Sequence, residues 1–364
     1  MNKIQRQRWQ TLLELCAPST PRSVAVEADW SDLRELATAH GVAPLLASRL
    51  ATAPAALRLV TRLRNQYLVE ELFRLLDACA SAAINALVLK GPVLAKLAYR
   101  DLSCRAFCDL DVLILEDDLP RAVALLERRG YRANLPRKTA MRRRFQAVAT
   151  NLRSANGLVN VDLHWDLSPA YYHFGPEAGG VWRRAVALDL EGRPVPTLAQ
   201  LDQLLFLVVH ASRHGWATLG HLCDLAYLVH GSDFAWDEVL RAAAQSRCLT
   251  ILNVGLLLAN RLLKLALPAA VIGQARRDRR AARLAEGIAG GFAGERSSAA
   301  STQLVRRALA AIERPRDRLR YLVIRGFAPT LADWSERPLS QAWYPIYYGL
   351  RPWRILRAAL AGQR

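Results

Sequence analysis

The sequence predicts an α+β fold in which a small mixed sheet is flanked by N-terminal and C-terminal helical regions. Three observations predict it. Apolar residues recur at three- and four-residue spacing as far as about residue 80. Between residues 85 and about 168 the period falls to two, punctuated by Gly91 and by Asn156-Gly157. From about residue 195 to about residue 325 helical spacing returns. For 364 residues two or three domains are expected. The pattern divides the chain into a helical region at 1–82, a sheet-bearing core at 83–192, a helical domain at 193–330 and a Pro-, Trp- and Arg-containing tail at 331–364.

The elements follow in order. "LRELATAHGVAPLLASRLA" and "LVTRLRNQYLVEELFRLLDACASAAI" read as amphipathic helices. "ALVLKG" is a short apolar strand ended by Gly91, and Pro92 opens a helix at its first turn, where a missing N–H costs nothing. "DLDVLILE" alternates and is rich in branched residues, so it reads as a strand. "DDLPRAVALLERRGY" is a helix, acidic at its start and basic at its end, as the helix dipole prefers. A basic stretch, "TAMRRRFQAVATNL", leads into "RSANGLVNVDLHWDLS", where Asn156-Gly157 marks a hairpin turn. "QARRDRRAARLAEG" reads as a solvated basic helix, with contact to an acidic ligand as the other reading.

The formal charge of +18 (50 basic minus 32 acidic residues) points to an acidic partner such as a nucleotide, nucleic acid or an anionic membrane surface. Only five basic residues are Lys (Lys3, Lys90, Lys96, Lys138 and Lys264), so Arg usage reflects coding bias as much as phosphate binding. Six scattered cysteines form no disulfide framework, the N-terminus lacks a secretory pattern, and no apolar run is long enough to span a bilayer. A reduced, cytoplasmic protein is expected.

Side chains alternate along a strand, so Asp109 and Asp111 share one face while Leu110 and Val112 face a core. Two carboxylates this close raise each other's pKa unless a cation lies between them. Mg²⁺ takes one or two carboxylates and fills its remaining positions with phosphate and water, so the pair suits metal-assisted phosphate chemistry. "VNVDLHWDL" adds Asp162, with Asn160 and His164 on the same face. Gly91 allows close backbone approach to a phosphate, and Lys90 offers it a point charge.

"LVLKGPVLAKLAYRDLSCRAFCDLDVLI", then "VDLHWDL", then "LLFLVVHASRHGWATLGHLCDLAYLV" resembles the bacterial uncharacterised nucleotidyltransferase family of the polymerase-β-like superfamily. In that family a Lys-Gly turn, an Arg before Asp-x-Asp, a DLHW strand and a His-containing helix with a downstream Asp recur in this order. The resemblance covers roughly residues 30–260. It implies a nucleotidyltransferase core that binds an NTP, ATP among the candidates, and two Mg²⁺ ions. Asp109, Asp111 and Asp162 would be the catalytic carboxylates and metal ligands, with Asp162 base-like. Lys90, Gly91, Arg105, His164 and His214 would lie on the nucleotide. For Arg105 the alternatives are a salt bridge to Asp109 or a solvated loop. The chain departs from the wider superfamily in having Lys90-Gly91 where Gly-Ser or Gly-Gly is usual, so the phosphate-binding turn serine is absent.

Other chemistry is weaker. His210 and His214 lie four apart, as zinc ligands can, but Ala211 stands where a zinc protease needs Glu. Packing against the sheet, or contact with nucleotide or acceptor, are the better readings for them. Cys104 and Cys108 have no partner pair at zinc-finger spacing. No nucleophile-elbow, P-loop or dinucleotide fingerprint occurs. The expectation is transfer of an NMP from an NTP to an acceptor that is an RNA end, a small molecule or a peptide. The alternative is a non-catalytic adaptor that keeps the fold.

Overall fold

The computed structural model describes residues 2–20, 28–133, 148–169, 171–172, 175–292 and 301–360. Seven strands form one mixed sheet: β1 (Ala86–Val88), β2 (Asp109–Ile114), β3 (Arg132–Ala133), β4 (Ala149–Arg153), β5 (Asn160–His164), β6 (Val186–Leu190) and β7 (Arg193–Thr197). Their order is β3-β4-β5-β2-β1-β7-β6. β1 runs antiparallel to β2, β2 parallel to β5, and β5 antiparallel to β4, so the carboxylate strands are neighbours at the centre. The architecture is the expected α+β one, a mixed sheet with helices around it.

Alternation along β1, β2 and β5 divides the sheet's two faces. Val88, Leu110, Val112, Val161 and Leu163 enter one core with Leu68 and Leu72 of the helix Ala55–Ser81 and Val123 of the helix Leu119–Arg128. Leu87, Leu89 and Leu113 point the other way and meet Leu167, Val181, Leu198 and Phe206 in a smaller core. Asp109 and Asp111 share the face of Leu113, so they project from the side with the smaller apolar cover.

The helices expected for residues 1–82 contribute to two different cores. Helix Ala55–Ser81 packs on the sheet, whereas Leu12 and Leu15 of the helix Lys3–Cys16 join a large helical core with Val208, Leu225, Leu252 and Leu256. Gly41, at φ +70°, divides the helix expected from "LRELATAHGVAPLLASRLA" into Trp30–Ala39 and Ala43–Ala47. The expected basic helix is likewise two, Ala269–Arg277 and Arg279–Phe292. Between them Asp278 accepts the amide protons of Arg280 and Ala281, which caps the second helix. Most of the basic stretch after residue 138 lies outside the described residues. The β6–β7 hairpin is an element that sequence patterning does not predict.

Candidate active site

The site begins at the turn after β1. Gly91 has φ +67° and ψ −118°, and a Cβ there would stand 3.3 Å from the carbonyl oxygen of Asp109. Glycine therefore serves both the left-handed backbone and its close approach to β2. The Leu89 amide donates to the Asp111 carbonyl at 2.9 Å, which continues the β1–β2 pairing up to the turn. The helix that follows is short: three α residues from Pro92, then a π-helical turn over Ala95–Tyr99.

The parallel register of β2 and β5 sets Asp111 opposite Asp162 and Asp109 opposite Asn160. Lys90 closes the arrangement: its ammonium lies 2.9 Å from Asp111 Oδ2 and 3.7 Å from Asp109 Oδ2. His164 Nε2 stands 3.1 Å from Asp111 Oδ1. Asn151, facing Asp162 across the β4–β5 pair, donates to its Oδ1 at 2.7 Å.

The electrostatics distinguish the two carboxylates of the strand. Burial alone would raise Asp111, but the Lys90 charge and the His164 hydrogen bond outweigh it and hold the acid down at about 2. Asp109 goes up, through burial first and then the Asp111 charge, with Lys90 offsetting only part of that. Burial opposes the Lys90 charge, yet Asp111 and Asp109 together raise its pKa. Lys90 is thus the cation that the sequence argument requires between the two acids.

The donor set fits a divalent ion. Asp111, Asp162 and His164 each offer a ligand atom, and these lie within 4.8 Å of one another. Asp109 stands outside that trio, on the same face of β2, opposite Asn160 and 3.7 Å from the Lys90 ammonium. Two carboxylates with an imidazole suit a divalent metal. His164, expected on the nucleotide side, lies in this carboxylate cluster.

Arg105 makes neither of its alternative contacts. Its Nε and Nη2 donate to the two carboxylate oxygens of Asp224 at 2.8 and 2.9 Å, and the Tyr99 hydroxyl donates to Asp224 Oδ1 at 2.8 Å. Nη1 is buried and, among the described residues, without a hydrogen-bond partner. Asn65 holds the local backbone by donating to the carbonyls of Leu102 and Arg105. Sequence reasoning missed the parts played by Asn151, Asn65 and Tyr99. The Asp downstream of the histidines was the one visible sign of Asp224.

The histidines form a group of their own. Ring centroids of His210, His214 and His221 lie 4.7, 5.5 and 5.7 Å apart. Burial, then the charges of Lys90 and neighbouring groups, drives His210 well down; burial, His221, Arg213 and Lys90 bring His214 to about 4. Burial also lowers His221; the Asp224 charge opposes it, and Arg105 and Lys90 add to the fall. The trio is neutral at neutral pH, as metal ligands must be, but the charges of Lys90, Arg105 and Arg213 oppose a cation there.

Residues 26–264 match the family described as uncharacterised nucleotidyltransferase, a span well over half the chain. The chain belongs to that family. No curated protein matches it. The nucleotidyltransferase match includes every site residue above, from Asn65 to Asp224, and ends before the C-terminal helices. Among the described residues no helix is long and apolar enough to cross a membrane.

Proposed function

We propose that this chain is a Mg²⁺-dependent nucleotidyltransferase with a polymerase-β-like core. It would transfer an NMP from an NTP to an acceptor hydroxyl and release pyrophosphate. One observation carries the reading: Asp111 and Asp162 stand opposite each other on two adjacent parallel strands, with Asp109 on the same face and a lysine ammonium between the two acids of β2.

Asp109, Asp111 and Asp162 would hold the metal, with His164 within reach of the same centre. When bound, Mg²⁺ supplies charge neutralisation at the α-phosphate and leaving group and lowers the pKa of the attacking hydroxyl. Asp162, oriented by Asn151, accepts the acceptor's proton. The acceptor oxygen bonds to the α-phosphorus as the bond from that phosphorus to the pyrophosphate oxygen breaks. Lys90, freed from the acids it now neutralises, turns to the triphosphate as a point charge. Gly91 lies beside it on that side. The Arg105 nitrogen left over from Asp224 offers phosphate a donor, and His214 contacts the nucleotide from the helical side. Residues 83–192 act as the catalytic unit. RNA ends, small hydroxylated molecules and peptides remain the acceptor classes, and a cytoplasmic location suits each.

A second reading has its own observation. Asp111 is already paired with the Lys90 ammonium and within hydrogen-bond distance of His164, as in a site that needs no metal. A non-catalytic nucleotide- or protein-binding adaptor would look like this. Calorimetry with a non-hydrolysable ATP or GTP analogue, with and without Mg²⁺, separates the two. Metal-dependent binding by the wild type, lost in Asp109→Asn/Asp111→Asn, supports the transferase. No nucleotide binding, or equal binding by both proteins, sinks it in favour of the adaptor.

A further inference from the structure

The C-terminal helices carry surface that the catalytic reading leaves unused. Among the described residues eighteen large apolar side chains are exposed, and ten of them fall between Leu319 and Leu356. They are arranged by helical period. On the helix Pro315–Phe327, Leu319, Leu322, Val323 and Phe327 follow the i, i+3, i+4, i+8 stripe, opposite the buried Asp317 and Tyr321. On the helix Ile346–Leu360, the exposed Ile346, Trp353 and Leu356 lie opposite the buried Tyr347 and Arg351.

The two helices are tied together by polar contacts behind those stripes. Arg351 donates to the Arg325 carbonyl and to Asp333 Oδ2. A small cluster around Tyr344 and Tyr347 packs with Trp334, Leu339 and Leu350. The exposed faces are therefore held in place by a built interior. A loosely packed tail would not hold them so.

Charge identifies what would cover them. From Arg314 to Leu360 there are nine arginines, no lysine and three acidic residues. Arg316 and Arg320 are exposed and border the Leu319 stripe, and the Arg357 guanidinium lies 5.4 Å from the centre of the Trp353 ring. Nucleic acid calls for arginines and stacking rings, but it has no use for Leu319, at 64 % exposure, or Leu356, at 58 %. Aliphatic stripes edged by Arg, with Trp343, Tyr348 and Trp353 at the surface, match the boundary between acyl chains and anionic headgroups.

We propose that residues 315–360 are a membrane-surface docking unit that lies on an anionic lipid bilayer without crossing it. The unit lies beyond the family match, and the proposal is independent of the transferase reading.

The test is flotation of the full chain with vesicles of phosphatidylcholine alone or of phosphatidylcholine mixed with phosphatidylglycerol. The protein is expected to float only with the anionic vesicles, and less so as salt rises. Trp353→Ser/Leu356→Ser should abolish flotation while leaving the thermal unfolding transition in place, since both side chains are exposed. Leu319→Ser/Leu322→Ser tests the second stripe separately, should the first variant not fold. Arg316→Gln/Arg320→Gln should weaken binding roughly 25-fold, about five-fold for each arginine. The proposal is overturned if wild type ignores anionic vesicles, or if both serine variants float as wild type does. It is equally overturned if the wild type dimerises through these faces, or binds RNA through them, without binding vesicles.

Discussion

The sheet side and the helix side of the candidate site face each other with opposite electrostatic designs. On the sheet, Asp109, Asp111 and Asp162 gather negative charge around one lysine, and Asp111 is held ionised by it. On the helices, His210, His214 and His221 are kept neutral by burial and by the cations near them. Asp224, whose charge acts on His221, is engaged by Arg105 and Tyr99. One wall thus suits a cation and the other an anion, which is what a metal-bound triphosphate presents to its two sides. Lys90 acts on both: it pairs with the acids, and its charge lowers His210, His214 and His221 alike.

If Lys90 is the stand-in cation, removing it gives the largest effect. Lys90→Met leaves Asp109 and Asp111 facing each other with no ammonium, a loss of about 3 kcal/mol for a broken buried pair. Mg²⁺ should restore much of that loss, because an ion that binds the folded state stabilises it. Thermal unfolding with and without Mg²⁺ should therefore show a larger metal-induced rise in Tm for the variant than for wild type. An equal rise would break the comparison on the sheet side.

Next in size is the helix side. Asp224→Asn removes a carboxylate that accepts two charge-assisted bonds from Arg105 and one from Tyr99. The expected loss is about 2 kcal/mol in urea unfolding. Nucleotide affinity should fall as well, since the freed guanidinium no longer has a fixed direction. Stability lost with affinity intact would confine Asp224 to holding the two halves of the protein together.

The difference between the two walls also explains what could be read beforehand. Asp109 and Asp111 were legible because strand alternation is local, and Asp162 followed because Asn156-Gly157 fixes the hairpin that returns β5 to the sheet. Gly91 announced the turn that brings Lys90 to them. The Arg105–Asp224 pair joins residues 119 positions apart, so no local period could reveal it. Asn151 reaches Asp162 only through the β4–β5 register, which turn chemistry suggests but does not number. β7 was hidden for another reason. Pro194 and Pro196 argue against a strand, yet β7 meets β1 through a single register pair, Val88 with Thr197, so the missing donors cost the sheet little. The helices on either side of Gly41 were legible as helix but not as two, because Gly within a helical pattern is often tolerated.

The pH dependence of stability sharpens the contrast further. An unfolded histidine binds its proton near 6.5, whereas folded His214 does so only near 4. Between those values the unfolded chain holds more protons, so stability rises with pH. The contribution is fully present above about pH 6.5 and is lost as pH falls toward 4. His210 and His221 shift in the same direction. Asp111 acts in a lower window, between its ordinary 3.8 and about 2, where protonation removes its pairing with Lys90. Unfolding midpoints measured across pH should show two separate declines. His214→Gln should flatten the upper decline and leave the lower one unchanged.

The smallest effect expected is at Asn151. Its amide donates to Asp162 Oδ1 at 2.7 Å, and it carries no charge. Asn151→Ala therefore takes from Asp162 the donor that orients its carboxylate. In a half-buried site water can replace the lost donor, so stability should drop by only about 1 kcal/mol. Catalysis should feel the change more, because a carboxylate that accepts a proton must be aimed as well as charged. Loss of a group that orients a metal or proton ligand typically costs roughly 10–100-fold in activity. That loss should fall on kcat, with KM for the nucleotide little changed, because Lys90 and Arg105 lie on other elements and are untouched. Asn151→Asp separates aim from charge: it keeps the side chain's size but sets a fourth acid beside Asp162, which raises the pKa of both. If Asp162 is the base, the alanine variant should lower the plateau of the pH–rate profile, and the aspartate variant should move the acid limb to higher pH by more than the alanine variant does. Should the two variants shift the profile alike, Asp162 is a structural carboxylate, and the proton is taken elsewhere on the sheet.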